Sequence, residues 1–504
     1  MIGKRFVGLA VVGIGCFSGD GIDAADQASV EERYYALETY SIPEDLKFEV
    51  SGIAPLPGGG VAVAIRKGEV WILEDLHRLD GVQFRKFAAG LHEPLGLAWH
   101  EGHLYTVQRT ELTRLSDVDG DGVADDYETV AKGWGVTGNY HEYAYGPVFD
   151  HDGNAWLTLN CTIGQGTRPD DNLWRGWSLR VAPTGRIEPV SGGFRSPSGL
   201  GVNLAGDVFA TDQQGNWFPT CPLIHIRSGV FHGHVDALRS CSEPAATFQI
   251  AEPVPDGLTV VEAAKRIGPY ELPAVWFPYR KMGMSSTDIL CDTTKGRFGP
   301  FAGQLFVGEF TQSFVSRVFL ERVGGAYQGA CFRFREGLQS AALRLGWAPG
   351  GVLLVGQSNR GWNSLGPRSY GLQRIRPTGQ VPFEIRTMGA APEGFRLTFT
   401  LPLDAKTAAR TDAYRISSYT YPYRAGYGGP ETDRHELQVL AAILGEDGHS
   451  VEIEVSGLRE GYVHELSIDG LLSHSGLALL HAEAYYTLNR IPPPKRSAEK
   501  RLEE

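Results

Sequence analysis

Between Phe48 and Pro377 the chain keeps returning to one local pattern: an apolar strand, a turn rich in Gly, Asp or Pro, and a second apolar strand. Most copies then close on a third strand that runs out into a polar turn. The copies begin near Phe48, Pro94, Tyr145, Pro197, Phe301 and Leu345, with a loose period of about 40 to 60 residues that suits a sheet-sized repeat. A unit this small cannot bury its own apolar faces, so neighbouring copies must stack. Six copies predict an all-β chain built as a six-bladed β-propeller, whose loops at one end make a pocket. The 64 glycines and the 11% aromatic content suit short strands joined by tight turns.

The flanks differ in texture. Residues 1–24 begin with Lys4 and Arg5 and run apolar to about Cys16. That stretch is too short to span a bilayer and reads as an export signal, cleaved near Ala24 or Ala25, to the periplasm or outside the cell. A lipoprotein at Cys16 is the weaker reading. Residues 26–45 read as a leader into the propeller, which spans 45–382. Residues 383–490 alternate as half-buried strands and predict a small β-sandwich, followed by a tail at 491–504. The insert from Cys221 to Pro278 has little repeat character and is expected to fold over the loop face. A net charge of -12 argues against nucleic acid as a partner, and no second apolar run could form a transmembrane segment. After signal cleavage five cysteines remain, so at least one is unpaired. The chain has no Cys-x-x-Cys-His haem motif.

One stretch has metal-ligand spacing. From Asp117, carboxylates fall at positions one, three, five, nine and twelve, namely Asp117, Asp119, Asp121, Asp125 and Glu128, with Gly122 at position six. With the Val123 carbonyl, these oxygens match an EF-hand-type Ca2+ loop. A solvated acidic turn is the alternative. Short strands and not helices flank the loop, so it reads as a structural clamp and not a sensor.

Candidate chemistry lies just after strands. His141, in Asn139-Tyr-His-Glu-Tyr-Ala-Tyr145, would sit near the channel mouth and could serve as a general base; a solvated or loop-bonded His is the plain alternative. Gln213, Asn216 and Trp217 offer amides beside an indole, which suits a sugar or a planar ring as well as it suits a turn with a buried Trp. Asn359, Arg360 and Trp362 follow a strand of the sixth unit, where Arg360 could grip a carboxylate. Gln108 holds the matching place in the second unit. His232 and His234 are too closely spaced to name a metal site.

Taken together, Gln108-Arg-Thr-Glu111 with its acidic loop, Thr211-Asp-Gln-Gln-Gly-Asn-Trp217 and Ser358-Asn-Arg-Gly-Trp362 resemble a family of exported bacterial propellers similar to soluble quinoprotein glucose/sorbosone dehydrogenases. The resemblance spans roughly residues 45 to 385. It implies structural Ca2+ and a pyrroloquinoline quinone (PQQ) on the loop face. It also implies His141 as the base that takes a sugar hydroxyl proton, with Arg195 and Arg360 facing the quinone carboxylates. The expected activity is oxidation of a carbohydrate-like small molecule, with electrons leaving to a separate acceptor such as a cytochrome c. The competing expectation is a non-catalytic propeller that binds carbohydrate or a partner, and a calcium-dependent lactonase or lyase ranks third.

Overall fold

The computed structural model describes residues 24–164 and 173–494. Five four-stranded antiparallel sheets and the first four strands of an eight-stranded one make six units along the chain. The first comprises Val50–Pro55, Val61–Ile65, Glu69–Glu74 and Gln83–Ala88, and the second Ala98–His100, His103–Val107, Glu111–Ser116 and Asp126–Lys132. The third comprises Ala144–Phe149, Ala155–Leu159, Trp177–Val181 and Ile187–Gly192, and the fourth Gly199–Val202, Val208–Thr211, Cys221–His225 and Val275–Phe277. The fifth begins with Ser286–Cys291, Leu305–Glu309, Phe314–Val323 and Ala326–Arg335, and the sixth holds Ala342–Ala348, Val352–Ser358 and Tyr370–Pro377. First strands of successive sheets touch, and the first strand of the sixth touches that of the first. The number and order of the sheets fit a propeller.

Sequence pattern follows position in this stack. Second strands are covered on both faces by neighbouring sheets, so Val61–Ile65 and Ala155–Leu159 are buried throughout and read as unbroken apolar runs. Outer strands such as Asp126–Lys132 are mostly exposed and polar. First strands crowd at the centre, where side chains must be absent in places. A Cβ on Gly96 would lie 2.1 Å from the Gly146 carbonyl oxygen, and one on Gly199 would lie 2.1 Å from that of Thr287. Arg344 fills the middle of the ring, donating to the carbonyls of Ser51 and Ser198 at 2.8 Å with Asp288 3.8 Å away. Only about 140 Å³ of space remains in this channel. It therefore has a polar floor and no through-passage wide enough for a ligand.

Three expectations need correction. Residues 26–45 are not simply a leader: Tyr35–Thr39 is the outer strand of the sixth sheet, paired antiparallel with Tyr370–Pro377. The chain from Ala24 to Glu31 is helical. The insert between Cys221 and Pro278 begins and ends as sheet, because Cys221–His225 and Val275–Phe277 pair with each other. Its middle packs along the edge of the third sheet, where Ala237 accepts from the Trp177 indole, and Leu258–Thr259 pairs with Pro422–Tyr423 of the C-terminal segment. The expected signal lies outside the described residues apart from Ala24, as does the tail beyond 494.

After residue 383, Ile385–Ala391, Gly394–Phe399, Ser450–Val455 and Val439–Leu444 form one sheet. Glu483–Leu488, Tyr462–Ile468, Tyr414–Thr420 and Thr432–Leu437 continue the fifth sheet, because Ala330 pairs with Tyr486. The two layers share a core that includes Phe395, Leu397, Ile453, Leu466 and Tyr486. A buried ionic clasp ties both ends of the chain here. His481 lies 3.0 Å from Glu31 and 2.7 Å from Glu384, and Arg335 reaches Glu31 at 3.0 Å. Among the described residues no helix is long and apolar enough to cross a membrane.

Candidate functional site

In an up-and-down sheet the turn after the second strand and the connection after the fourth lie at the same end. His141 sits in the connection from the second sheet to the third, and Arg195 in the connection from the third to the fourth. Arg66 and Arg109 follow the second strands of the first two sheets. At this loop end Glu93 stands between Arg66 and Arg109, paired with both, at 2.8 Å in the case of Arg109. Burial opposes its ionisation, yet the two guanidiniums hold the Glu93 carboxyl below the usual range. One carboxylate between two guanidiniums leaves a net positive charge. Tyr143 lies against both, its ring centre 4.6 Å from the Arg109 guanidinium and 5.4 Å from that of Arg66.

His141 borders this cluster. Its backbone N–H donates to the Asn139 side chain at 2.9 Å, which fixes the loop, while the imidazole remains accessible. Among the described residues neither ring nitrogen has a hydrogen-bond partner. Burial, then the charges of Arg195 and Arg109, push its pKa below the ordinary histidine value. The ring is thus held neutral, with a lone pair free at neutral pH, as a base requires. Arg195 is largely buried; its guanidinium makes one long bond, 3.4 Å, to the Gln214 carbonyl and lies 5.4 Å from the Tyr427 ring centre. Most of its N–H groups remain uncommitted.

The other residues singled out from sequence are placed differently. Arg360 pairs with Glu49 at 3.0 Å, and its carbonyl accepts from Arg66. It supports the cluster from behind. Asn359 donates its backbone N–H to Ser369, and Trp362 is 66% exposed at the rim. Gln108 spends its amide on the His92 N–H, Thr113 and Glu111. Gln213 spends its own on Ser198, Ser285 and Ser286. Asn216 donates to the Ala425 carbonyl at 2.7 Å, and Trp217 packs on Tyr423 with its backbone bonded to Arg424. The structure therefore brings His141 and Arg195 together, joins Arg360 to them only through Arg66, and gives Asn216 and Trp217 to the C-terminal segment.

Sequence reasoning missed Arg66, Glu93, Tyr143 and Tyr427 as members of the site. A usable signal did exist, since polar residues recur just after the second strands. Asp212 receives the N–H groups of Arg195 and Ser196, and Glu309 those of Met284 and Ser285. Gln108 does the same for His92. This shared device pins each sheet's incoming loop, and burial pushes Asp212 up to about 6 and Glu309 up to about 7.

The acidic loop lies at the opposite end, between the third and fourth strands of the second sheet. Carboxylate oxygens of Asp117, Asp119 and Asp125 fall within 4.8 Å of one another, a hard-oxygen set suited to Ca2+. Asp117 also caps the N–H groups of Gly120 and Gly122, while Asp121 accepts from Val123. Glu128 does not join them, contrary to expectation, but pairs with Arg114 across the strands. In an EF-hand a helix brings position twelve back to the metal. Here Asp126–Lys132 is extended, and about 3.3 Å per residue carries Glu128 away.

Residues 33–335 match the family profile of a domain of unknown function (DUF7133). Among curated proteins none matches the sequence. Similar solved structures include an oxidoreductase (glucose dehydrogenase) from Thermus thermophilus, 20% identical, aligned over 68% of this chain and 99% of that one, with a TM-score of 0.49. The PQQ-bound aldose sugar dehydrogenase of Streptomyces coelicolor is 16% identical over 68% of this chain and 98% of its own, with a TM-score of 0.47. A luciferin-regenerating enzyme is 10% identical over 68% and 96%, with a TM-score of 0.42.

Proposed function

The chain belongs to the DUF7133 family, and from that premise we propose that its loop end is a sugar-dehydrogenase-like site on a closed six-bladed propeller backed by a C-terminal β-sandwich. The reaction is oxidation of a carbohydrate hydroxyl or aldehyde. One observation carries this reading: His141 stands exposed at the loop end with neither ring nitrogen hydrogen-bonded among the described residues, and burial, then the charges of Arg195 and Arg109, lowers its pKa. Oxidising a hydroxyl removes a proton from oxygen and a hydride from carbon. His141 accepts the proton, and the guanidiniums favour the developing negative charge on oxygen.

The donor set fits a carboxylated planar cofactor at Arg195, whose N–H groups are mostly unspent, and at the positive Arg66–Glu93–Arg109 cluster. It does not fit one at Arg360, whose guanidinium is paired with Glu49. PQQ, where bound, supplies the hydride acceptor. Without a haem motif in this chain, electrons pass to a separate acceptor such as a cytochrome c. Export through residues 1–24 remains part of this proposal, and so does a structural Ca2+ held by Asp117, Asp119 and Asp125 with the Val123 carbonyl. The melting temperature should rise in millimolar Ca2+ and fall on chelation; no difference would remove the metal from this reading.

The direct test titrates the calcium-loaded protein with PQQ, followed by absorbance, and then assays dye reduction over a sugar panel. Wild type should saturate and turn over, while His141→Gln should bind quinone but lose activity at least about a hundredfold. A second reading, sugar or partner binding without catalysis, draws on the C-terminal segment that occupies Asn216 and Trp217. It predicts sugar binding with no quinone effect at all.

A further inference from the structure

A large cavity lies at the end of the ring away from His141. It measures about 1070 Å³ and opens among the first, second and sixth sheets. Its walls come from turns that join first to second strands and third to fourth strands, at Leu56–Gly60, Glu74–His77 and Gly102. The proposed dehydrogenase reading touches only its edge, where Asp117 and Gly122 of the acidic loop line the wall.

Its chemistry restricts the occupant. Trp99 presents an indole that is 37% exposed on the cavity wall, a surface suited to stacking against a flat apolar ring face. The charges around it largely cancel. Arg374 and Arg376 share Glu38 at 2.6 Å and 2.9 Å, and Arg85 stands opposite Asp117, Glu74 and Asp75. A free phosphate or nucleotide finds no surplus of cations there, and a lipid chain would strand these charged groups without water. His77 adds an exposed polar side chain at the rim. The volume exceeds the roughly 300–1,000 Å³ typical of small-molecule sites, so a single sugar ring would leave most of it empty. Gly58 and Gly102 at the rim have nothing within 4 Å of where a Cβ would stand, so the mouth is open to a chain that continues outward.

We infer that this cavity is a binding cleft for a neutral oligosaccharide, with Trp99 as the stacking platform. It is separate from the loop-end site and independent of whether quinone binds there. Cellohexaose, maltohexaose and xylohexaose are the probes, with binding to the intact protein followed by calorimetry and by tryptophan fluorescence. At least one should bind with Kd below about 1 mM. Trp99→Ala should weaken that binding at least tenfold and His77→Ala several-fold, while sugar-dependent dye reduction stays unchanged in both. Circular dichroism checks the fold, and if Trp99→Ala does not fold, His77→Ala decides. The inference is overturned if none of the three binds, or if both variants bind as wild type. Binding that disappears in His141→Gln would also overturn it, because the glycan would then sit at the loop end. Failure of the quinone titration leaves all these outcomes readable.

Discussion

His141 and His481 are the same side chain held in opposite charge states. His141 faces the loop end beside two guanidiniums, and burial and those cations together push its pKa below the ordinary value. His481 is even further removed from water, but it lies between Glu31 and Glu384, and their charges overcome burial and raise it to about 10. The difference lies in the sign of the neighbours and not in the degree of burial. A neutral imidazole with unspent nitrogens can take a proton, whereas a doubly bonded imidazolium can only hold structure. On the proposed reading the first histidine serves chemistry and the second stability.

The clasp should show the largest effect. His481→Ala leaves Glu384 buried without its paired cation and Glu31 with Arg335 alone, which costs about 3–5 kcal/mol of unfolding free energy, measured by denaturant titration. A loss below about 1 kcal/mol, the range of exposed pairs, would mean that the two regions are not electrostatically distinct. Next in size is His141→Gln, which should raise the barrier of the proposed oxidation by about 2.7 kcal/mol or more yet leave stability within about 0.5 kcal/mol. A variant that unfolds easily would place His141 with His481 as a structural residue.

The pH dependence sharpens the contrast. His481 titrates near 6.5 unfolded and near 10 folded. Its contribution is complete below 6.5 and is lost as pH rises toward 10. Between about pH 7 and 8.5 the buried thiols and the histidines whose pKa burial lowers titrate partly in the unfolded chain, but they do so equally in wild type and in His481→Gln. Stability should therefore decline more steeply with pH across that window in wild type than in His481→Gln. His141 has the opposite sign, because its depressed pKa lowers stability only as pH falls below 6.5. Equal slopes in wild type and His481→Gln would show that the imidazole is not charged.

These two histidines also show what a sequence can disclose. The repeated sheets were legible because a buried strand announces itself within five residues, as Val61–Ile65 does. His141 was singled out because it precedes a strand of such a repeat. The clasp was not, since Glu31 and Glu384 are far from His481 in the chain and long-range ionic pairing has no local signature. For the same reason Tyr35–Thr39 looked like a leader, because its partner strand is Tyr370–Pro377. Spacing overreached at Glu128, which the following strand carries to Arg114. It overreached at Asn216 and Trp217 too, whose partners lie in the C-terminal segment.

Arg360 gives the smallest effect and the finest division between the two regions. From its place after a strand it resembles a cofactor arginine, but its partner Glu49 makes it more like a weak surface version of the clasp. The pair is half exposed, so Arg360→Ala should cost only about 0.2–1 kcal/mol in stability. Its carbonyl, which accepts from Arg66, survives the substitution, so the Arg66–Glu93–Arg109 cluster keeps its geometry. Quinone affinity should then be unchanged in Arg360→Ala and fall at least tenfold in Arg195→Ala, as read by absorbance titration. A tenfold loss in Arg360→Ala would mean that the guanidinium leaves Glu49 when ligand arrives. The boundary between supporting and binding residues at the loop end would then lie one ion pair further out.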